Sequence, residues 1–194
     1  MVFVGIMHAC PNNLKQRARL PLHLLALAAC LALVALRPSE VLAQRKDTPS
    51  GLELPRFVSL RSDKIFVRVG PGSDFKIVFT FQRAGLPVEV YQETELWRRV
   101  RDSEGSTGWI FHTLLSGRRT ALITPWEQKE ASPKSAEIRV KKEANASVIA
   151  AVEPGVIANI RACDGAWCEI SVGSVSGFIE QKKLWGVYPS EVVK

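Results

Sequence analysis

The feature that most constrains the fold of this chain is an internal repeat. Five short motifs occur twice in the same order, at an offset close to 70 residues. Repetition at a nearly fixed offset indicates two copies of one structural unit, here of about 55 to 60 residues each. The paired motifs are 67–69 with 138–140, 84–86 with 154–156, 97–100 with 167–170, 108–110 with 177–179, and 115–117 with 184–186.

Each copy is predicted to consist of five short strands. The segments are rich in β-branched and aromatic residues and are separated by glycine, aspartate and serine. No segment after the N-terminal region has a sustained helical period. Five short strands in so few residues favour a small barrel over an open sheet, because the edges of an open sheet would be exposed. The predicted strands are 64–69, 78–81, 87–92, 97–101 and 107–112, then 137–140, 148–152, 156–162, 167–172 and 176–180.

Four motifs of the first copy match a known family. They read Ile65-Phe-Val-Arg-Val-Gly-Pro71, Gly85-Leu-Pro-Val-Glu-Val90, Trp97-Arg-Arg-Val100 and Gly105-Ser-Thr-Gly-Trp-Ile110. The pattern resembles the bacterial SH3-like domain over about residues 56–118, and more weakly over about residues 136–188, where no Gly-Pro follows the Ile-Arg-Val motif. The predicted domains are residues 56–120 and 136–190. The tandem arrangement looks like an exported subfamily of SH3-like proteins. The resemblance implies an all-β chain of two tandem small SH3-like β-barrels, with loops that frame a shallow groove for peptides or cell-wall material.

Residues 1–43 have the layout of a secretory signal peptide. Basic residues precede an apolar run at 20–36, and a small-residue end predicts cleavage between Ala43 and Gln44. The segment before the apolar run is long, so Met7 is an alternative start. A lipobox-like sequence ending at Cys30 leaves a lipid-anchored form open, although the apolar run continues beyond that cysteine. We expect a periplasmic or secreted bacterial protein that meets the membrane only through this leader before cleavage.

The charge of the chain gives little support for an anionic partner. Removal of residues 1–43 takes away four basic residues and one acidic residue, so the net charge falls from +7 to +4. The remaining basic residues are dispersed, which is typical of a solvated surface. Together with export from the cytoplasm, this argues against nucleic acid as a partner.

Two segments are predicted to be linkers. Residues 44–55 precede the first domain, and residues 121–135, which contain two prolines, separate the two domains. Trp126 lies in the second segment. We interpret it as a side chain held against a domain surface, because a large aromatic ring is costly to leave in water.

The two cysteines that follow the leader, Cys163 and Cys168, predict a disulfide. An exported chain with an even pair of cysteines favours this bond. Strict alternation along the strands would place the two side chains on opposite faces, so a β-bulge is needed to bring them together. Metal binding would need further ligands, and redox catalysis usually uses Cys-x-x-Cys at a helix start. No metal and no cofactor are expected.

The turn at 70–73 could be mistaken for a phosphate-binding loop. Phosphate binding of that type needs three spaced glycines before a helix, whereas Phe75 occupies the third position and β-rich sequence follows. Pro71 also removes a backbone donor. The stretch is therefore predicted to be a tight turn. In the SH3-like interpretation its loop borders the groove, which makes three of its residues candidate ligand contacts: Arg68, Asp74 and Phe75.

Aromatic residues of the first copy suggest where a ligand could lie. Trp97, Phe111 and Phe75 are predicted to form a small aromatic ledge for a peptide or a sugar. Arg68 or Arg99 would then bind a carboxylate. His112 lacks a catalytic partner nearby in sequence and is interpreted as a surface or rim residue, because catalysis needs a positioned partner.

These features favour a non-catalytic exported binding module over an enzyme. Its expected ligand is a cell-wall peptide, peptidoglycan or a segment of a periplasmic protein, held chiefly by the first copy. The alternative is an envelope scaffolding protein that acts by protein–protein contacts without wall binding. A thiol-linked enzyme is the third hypothesis. The sequence does not define the oligomeric state.

Overall fold

The computed structural model describes residues 48–129, 131–132 and 134–194. The predicted leader, its cleavage site at Ala43 and Gln44, and Cys30 lie outside these residues. Within the described part, no helix has the length and apolar character needed to cross a membrane. The described residues form strands, turns and short 3₁₀ helices without an α-helix, and they belong to one compact unit.

The first repeat is a seven-stranded antiparallel sheet. Its strands are β1 Arg56–Leu60, β2 Ile65–Arg68, β3 Ile77–Phe81, β4 Pro87–Glu93, β5 Trp97–Arg101, β6 Thr107–Phe111 and β7 Leu115–Ser116. Their spatial order is β3-β2-β6-β5-β4-β1-β7. A 3₁₀ helix at His112–Leu114 connects β6 to β7.

The second repeat has the same topology. Its strands are β8 Thr120–Ile123, β9 Ala136–Arg139, β10 Val148–Val152, β11 Ile157–Asp164, β12 Trp167–Val172, β13 Val175–Glu180, β14 Leu184–Trp185 and β15 Val192–Val193. The order β10-β9-β13-β12-β11-β8-β14 repeats that of the first sheet, and β15 is added beside β11. Further 3₁₀ helices lie at Pro125–Lys129 and Gln181–Lys183.

All ten predicted strands are present, with ends shifted by no more than two residues. The prediction missed β1 and β8, which begin the two repeats, and the two-residue strands β7, β14 and β15. The expected linker at 121–135 is wrong at its start, because β8 pairs with β11 and β14 of the second sheet. Residues 124–135 connect β8 to β9 inside the second repeat. The strand was missed because four consecutive buried residues show no alternation that could identify a strand.

Each sheet covers its own hydrophobic core. Inward-facing side chains alternate with outward-facing ones along most strands, as in a sheet with one solvated face. The first core contains Leu60, Ile65, Val67, Phe81, Val88, Val90, Val100, Ile110 and Leu115. The second contains Ala121, Ile123, Ala136, Ile138, Ala158, Ile160, Cys163, Cys168, Ile170, Ile179, Leu184 and Val187.

The repeated Gly-aromatic-Ile motif exists because two strands approach closely at its glycine. A Cβ atom on Gly108 would lie 2.9 Å from the carbonyl oxygen of Arg68 and would overlap the Val67 side chain. A Cβ atom on Gly177 would lie 2.7 Å from the carbonyl oxygen of Arg139. Only glycine allows this approach without displacement of the neighbouring strand.

Direct contacts join the two repeats. The Phe57 ring of the first repeat lies 4.7 Å from the Tyr188 ring and 5.1 Å from the Trp185 ring, measured between centroids. Hydrogen bonds accompany these rings, among them Thr120 Oγ1 to Gly85 O at 2.8 Å, Arg83 Nη1 to Gly155 O at 3.2 Å, and Tyr188 Oη to Glu89 Oε1 at 3.1 Å.

Candidate functional site

The loop between β2 and β3 is braced from within. Arg68 donates from Nη1 to the carbonyl oxygen of Phe75 at 2.6 Å, across the turn. Arg139 makes the equivalent bond to the carbonyl oxygen of Ala146 at 2.6 Å. The shared bond explains why both repeats keep this arginine although only the first has a Gly-Pro turn. The predicted groove residue Arg68 therefore has a structural role in its own loop.

The predicted aromatic ledge is only partly assembled. Trp97 and Phe111 are cross-strand neighbours whose rings make an edge-to-face contact at 5.4 Å. Phe75 instead lies over Gly70 of its own loop, and 46% of its surface is exposed. Asp74 is exposed in the same loop. The structure thus brings Trp97 and Phe111 together and places Phe75 and Asp74 on the separate β2–β3 loop.

The predicted carboxylate-binding residue Arg99 lies on the same face of β5 as Trp97. Its guanidinium lies over the Tyr91 ring at 5.5 Å, and its Nη1 atom contacts the Gln92 side chain at 3.4 Å. Trp109 is the cross-strand partner of Arg99 and is buried. Arg99, Trp109 and Trp97 therefore lie on one face of the first sheet, where Trp109 is covered and Trp97 and Arg99 are partly exposed.

The predicted disulfide between Cys163 and Cys168 is confirmed. The two residues are direct cross-strand partners of β11 and β12, with a Cα–Cα distance of 4.1 Å. The register of the two strands shifts between Ile160 and Ala162. This shift is the β-bulge that we predicted from the cysteine spacing, because strict alternation would have placed the two cysteines on opposite faces. The bond closes the turn 164–167, which connects the two strands.

In the first repeat, an ion pair occupies the position of this disulfide. Glu93 and Arg98 are cross-strand partners of β4 and β5, five residues apart like the two cysteines. The Glu93 carboxylate is fully buried and lies 3.0 Å from Arg98 Nε and 2.8 Å from Arg56 Nη2. Burial alone would raise the pKa of Glu93, but hydrogen bonds from Ser50 and Arg56 outweigh it and hold the pKa at about 2.

The described part of the predicted N-terminal linker takes part in this cluster. The backbone N–H and the hydroxyl of Ser50 donate to Glu93 Oε1 at 2.9 Å and 2.6 Å. The segment before β1 is thereby attached to the end of β4.

The second repeat contains a cavity of about 630 Å³ that sequence reasoning did not identify. Its walls come from three separate parts of the chain: the 3₁₀ helix after β8, the turn between β11 and β12, and the segment that begins with the last 3₁₀ helix. The lining residues are Trp126, Gly165, Ala166, Trp167, Glu180, Gln181, Lys182, Leu184, Val187, Tyr188, Pro189 and Ser190. Trp126, which we expected to be held against a surface, is 50% exposed and forms one wall.

Hydrogen bonds fix the walls of the cavity. The buried Gln181 side chain accepts from Gly165 N at 3.2 Å and donates to Tyr188 O and Glu191 O at 2.8 Å and 3.0 Å. It therefore ties the β11–β12 turn to the C-terminal segment. Asp164 accepts from the N–H groups of Ala166 and Trp167, and these bonds lower the pKa of Asp164. With the disulfide, they constrain the turn.

Backbone strain is also located at this cavity. Thr124 and Ser190 are the non-glycine residues with positive φ among those the structure describes, at 34° and 61°. Thr124 directly precedes the 3₁₀ helix that carries Trp126, and Ser190 is part of the lining. Such conformations persist only where the surrounding structure imposes them, and they are common at ligand sites.

Tyr188 connects the cavity to the first repeat. Tyr188 is one of the lining residues of the cavity, its ring packs at a tilt against Phe57, and its hydroxyl donates to Glu89. Burial, followed by the nearby Glu89 carboxylate, raises the pKa of Tyr188. The hydroxyl therefore stays protonated and remains a donor at physiological pH.

The arrangement is suited to holding a ligand by shape and aromatic contact. Trp126, Trp167 and Tyr188 are among the lining residues, together with the charged Glu180 and Lys182. Concave sites lined by aromatic side chains with a few polar groups are the usual form of binding sites. Glu180, at the rim, is already paired with Lys182 at 3.1 Å and Lys183 at 3.6 Å. No group of three or more metal-ligating side chains occurs among the residues described.

Comparisons with known proteins identify the repeated unit. Two solved structures, described as NlpC2 and NlpC1 from Trichomonas vaginalis, are similar at 14% identity, with TM-scores of 0.30 and 0.28. The alignments cover 69% of this chain but only 49% and 46% of those chains, so the chain spans about half their length. A search of curated proteins found no match. The family model described as "Bacterial SH3 domain" matches twice, at residues 61–117 and 132–186. These two matches cover more than half of the sequence, and the chain belongs to the bacterial SH3 domain family as a tandem member.

Proposed function

We propose that this protein is a non-catalytic binding module of the bacterial envelope that holds a peptide segment of the cell wall or of a periplasmic protein. Bacterial SH3 domains are typically cell-wall binding modules, generally without catalytic activity of their own. They are usually extracellular or periplasmic, and the Cys163–Cys168 disulfide suggests an oxidising compartment.

The observation that carries the proposal is the cavity of the second repeat. Its walls are held together by the disulfide, by the Gln181 side chain and by Asp164. A site that is already ordered loses less conformational entropy when it binds, which increases affinity. Trp126 and Trp167 supply aromatic surface that tolerates the alternating apolar and polar groups of a peptide.

The outward face of the first repeat is a second surface for the same function. Trp97 and Phe111 form an aromatic pair beside Arg99, which carries a positive charge at the edge of the pair. A peptide carboxylate near that guanidinium would gain a charge-assisted hydrogen bond. The two surfaces lie on different repeats, so their contributions are separable by mutation.

Co-sedimentation with purified peptidoglycan sacculi tests the proposal, at low and at moderate salt. We expect pelleting that survives salt and falls at least about tenfold in affinity when Trp167 is replaced by alanine, because stacked aromatic contacts are commonly binding hot spots. Trp97→Ala tests the first repeat in the same way. Leu52→Ala is the matched control, since Leu52 is 55% exposed and lies outside both surfaces.

Each other outcome changes the function in a defined way. Pelleting that disappears at moderate salt would reduce wall binding to charge attraction. Pelleting that neither tryptophan variant affects would place the site elsewhere. No pelleting at all would reject wall binding and leave the alternative, a scaffolding protein that contacts other envelope proteins.

A further inference from the structure

Two tryptophans of the cavity in the second repeat have unused hydrogen-bond donors. Trp126 and Trp167 both line the cavity, and neither indole N–H has an acceptor among the residues that the structure describes. An indole N–H group can only donate. The two tryptophans therefore favour a ligand that presents oxygen acceptors.

The acceptors of the same walls are already used by the fold. The carbonyl oxygen of Ala166 accepts from Gln181 N at 2.8 Å, and that of Tyr188 accepts from Gln181 Nε2 at 2.8 Å. The Gln181 Oε1 atom accepts from Gly165 N. A ligand that presented only donors would have to compete with these bonds, whereas a ligand that presents acceptors would not.

The charged groups at the cavity carry an excess of positive charge. Glu180 Oε1 lies 3.1 Å from Lys182 Nζ, and Glu180 Oε2 lies 3.6 Å from Lys183 Nζ, so two ammonium groups share one carboxylate. Asp164, at the start of the neighbouring turn, is paired with Lys142 at 2.9 Å. An anionic group of a ligand would thus meet a positive charge that the chain does not neutralise.

Lys182 is the ammonium that can meet such a group. It lines the cavity together with Glu180, whereas Lys183 is not among the lining residues. The Lys182 side chain is 76% exposed, and ion pairs at such positions contribute little to stability. An ammonium has three donors, so Lys182 can bind a second carboxylate while Lys183 remains beside Glu180.

We infer that this cavity recognises a carboxylate of its peptide ligand, with Lys182 as the residue that binds it. The rings of Trp126 and Trp167 would pack against the apolar part next to that group. The inference rests on the proposed function and names the chemical group that the peptide presents in this cavity. A peptide carries a carboxylate at its C-terminus or on an acidic side chain, and the probes below distinguish the two sources.

An NMR titration of the purified protein with three synthetic peptides tests the inference. The probes are acetyl-tetraalanine with a free C-terminus, its C-terminal amide, and an acetylated, amidated tetrapeptide in which glutamate replaces one alanine. The indole N–H resonance of Trp167 reports on the cavity, and that of Trp97 reports separately on the first repeat. We expect a peptide with a carboxylate to bind the cavity at least about tenfold more tightly than the amide, because hydrogen bonds to charged groups are the stronger ones.

Two substitutions should change this preference in opposite directions. Lys182→Gln should lower the affinity for the carboxylate peptide about tenfold and leave the affinity for the amide unchanged. Glu180→Gln should raise the affinity for the carboxylate peptide about threefold, because it removes the competing carboxylate and its repulsion. Lys141→Gln is the matched control, since it removes the same charge from an exposed residue of the second repeat outside the lining. A purely structural role of Glu180 would give no gain in affinity.

The outcomes separate this inference from the proposed function. Tighter binding of the free C-terminus alone would identify a chain end as the ligand, and tighter binding of the glutamate peptide alone would identify an acidic side chain. Equal affinity for all three peptides, or no binding of any of them, would overturn the inference. If sacculi still pelleted and Trp167→Ala still reduced pelleting, the proposed function would stand without it. If sacculi did not pellet, wall binding would fail, whereas the peptide titration would still decide the carboxylate preference.

Discussion

The buried ion pair of the first repeat makes a strong prediction about acid stability. The Glu93 carboxylate is held by Arg98, Arg56 and Ser50 and has no exposed side-chain surface. Glu93→Gln keeps the size of the side chain but removes its charge. At neutral pH the variant leaves two arginines without their partner, which is strongly destabilising when the pair is buried.

The magnitude follows from the pKa of Glu93. A decrease from 4.5 to about 2 corresponds to roughly 3 kcal/mol, because each tenfold change in acid strength is worth about 1.4 kcal/mol. The folded chain has the lower pKa, so the carboxylate stabilises it fully above pH 4.5. That stabilisation decreases as the pH falls through the window from 4.5 to about 2.

Urea unfolding of the wild type and of Glu93→Gln, measured at several pH values, gives the difference directly. The indole N–H resonance of Trp97 reports on the first repeat alone, since that residue lies on β5. We expect a difference in unfolding free energy of roughly 3 kcal/mol at neutral pH and a much smaller one near the acid end of the window. Glu95→Gln is the control, because Glu95 is exposed in the turn that follows β4. A difference that stayed constant across the window would refute the reasoning.

Three further perturbations test other parts of the structure by urea denaturation and amide exchange. Gly108→Ala should destabilise the first repeat by roughly 2 kcal/mol through overpacking. Gly117→Ala is the control and should be nearly neutral, because Gly117 has open space around it. Equal effects of the two substitutions would contradict the close approach of the strands at Gly108. Joint replacement of Cys163 and Cys168 by serine should lower the free energy of unfolding by about 2 kcal/mol, a modest loss because the closed loop is short. It should also speed amide exchange in residues 164–167. Unchanged exchange there would mean that the disulfide does not order the turn. Arg68→Gln should lower the free energy of unfolding by about 1 kcal/mol and speed amide exchange in the β2–β3 loop. A loss of ligand affinity with normal amide exchange would instead support direct ligand contact by this arginine.

The repeat and most of the strands could be predicted because their signals are local. Alternation, turn residues and the paired motifs are all visible in short windows of sequence. The bulge at Ile160–Ala162 was also predictable, since the cysteine spacing conflicts with strict alternation and only an extra residue resolves the conflict. β8 was not predictable in this way, because its four residues are all buried and show no alternation, and they directly precede a proline-containing segment that looks like a linker.

The cavity could not be predicted because no short window of sequence contains it. Trp126, Trp167 and Tyr188 come from three segments that only the fold brings together. Gln181 looked like an ordinary polar residue, although its side chain joins two of those segments. The predicted ledge failed at Phe75 for the complementary reason: the small Gly70 beside it leaves room for the ring to cover its own loop.

The correspondence between Glu93–Arg98 and Cys163–Cys168 shows that the equivalent turns of the two repeats are held by different chemistry. Both pairs join the same two strands at the same register, so each fixes the turn that follows. The ion pair depends on ionisation and on two further side chains, whereas the disulfide holds its turn covalently wherever thiols are oxidised. The cavity wall at Gly165–Trp167 lies inside the covalently closed turn. A covalent constraint at that position does not depend on ionisation, which is a physical reason why the second repeat suits the proposed ligand site.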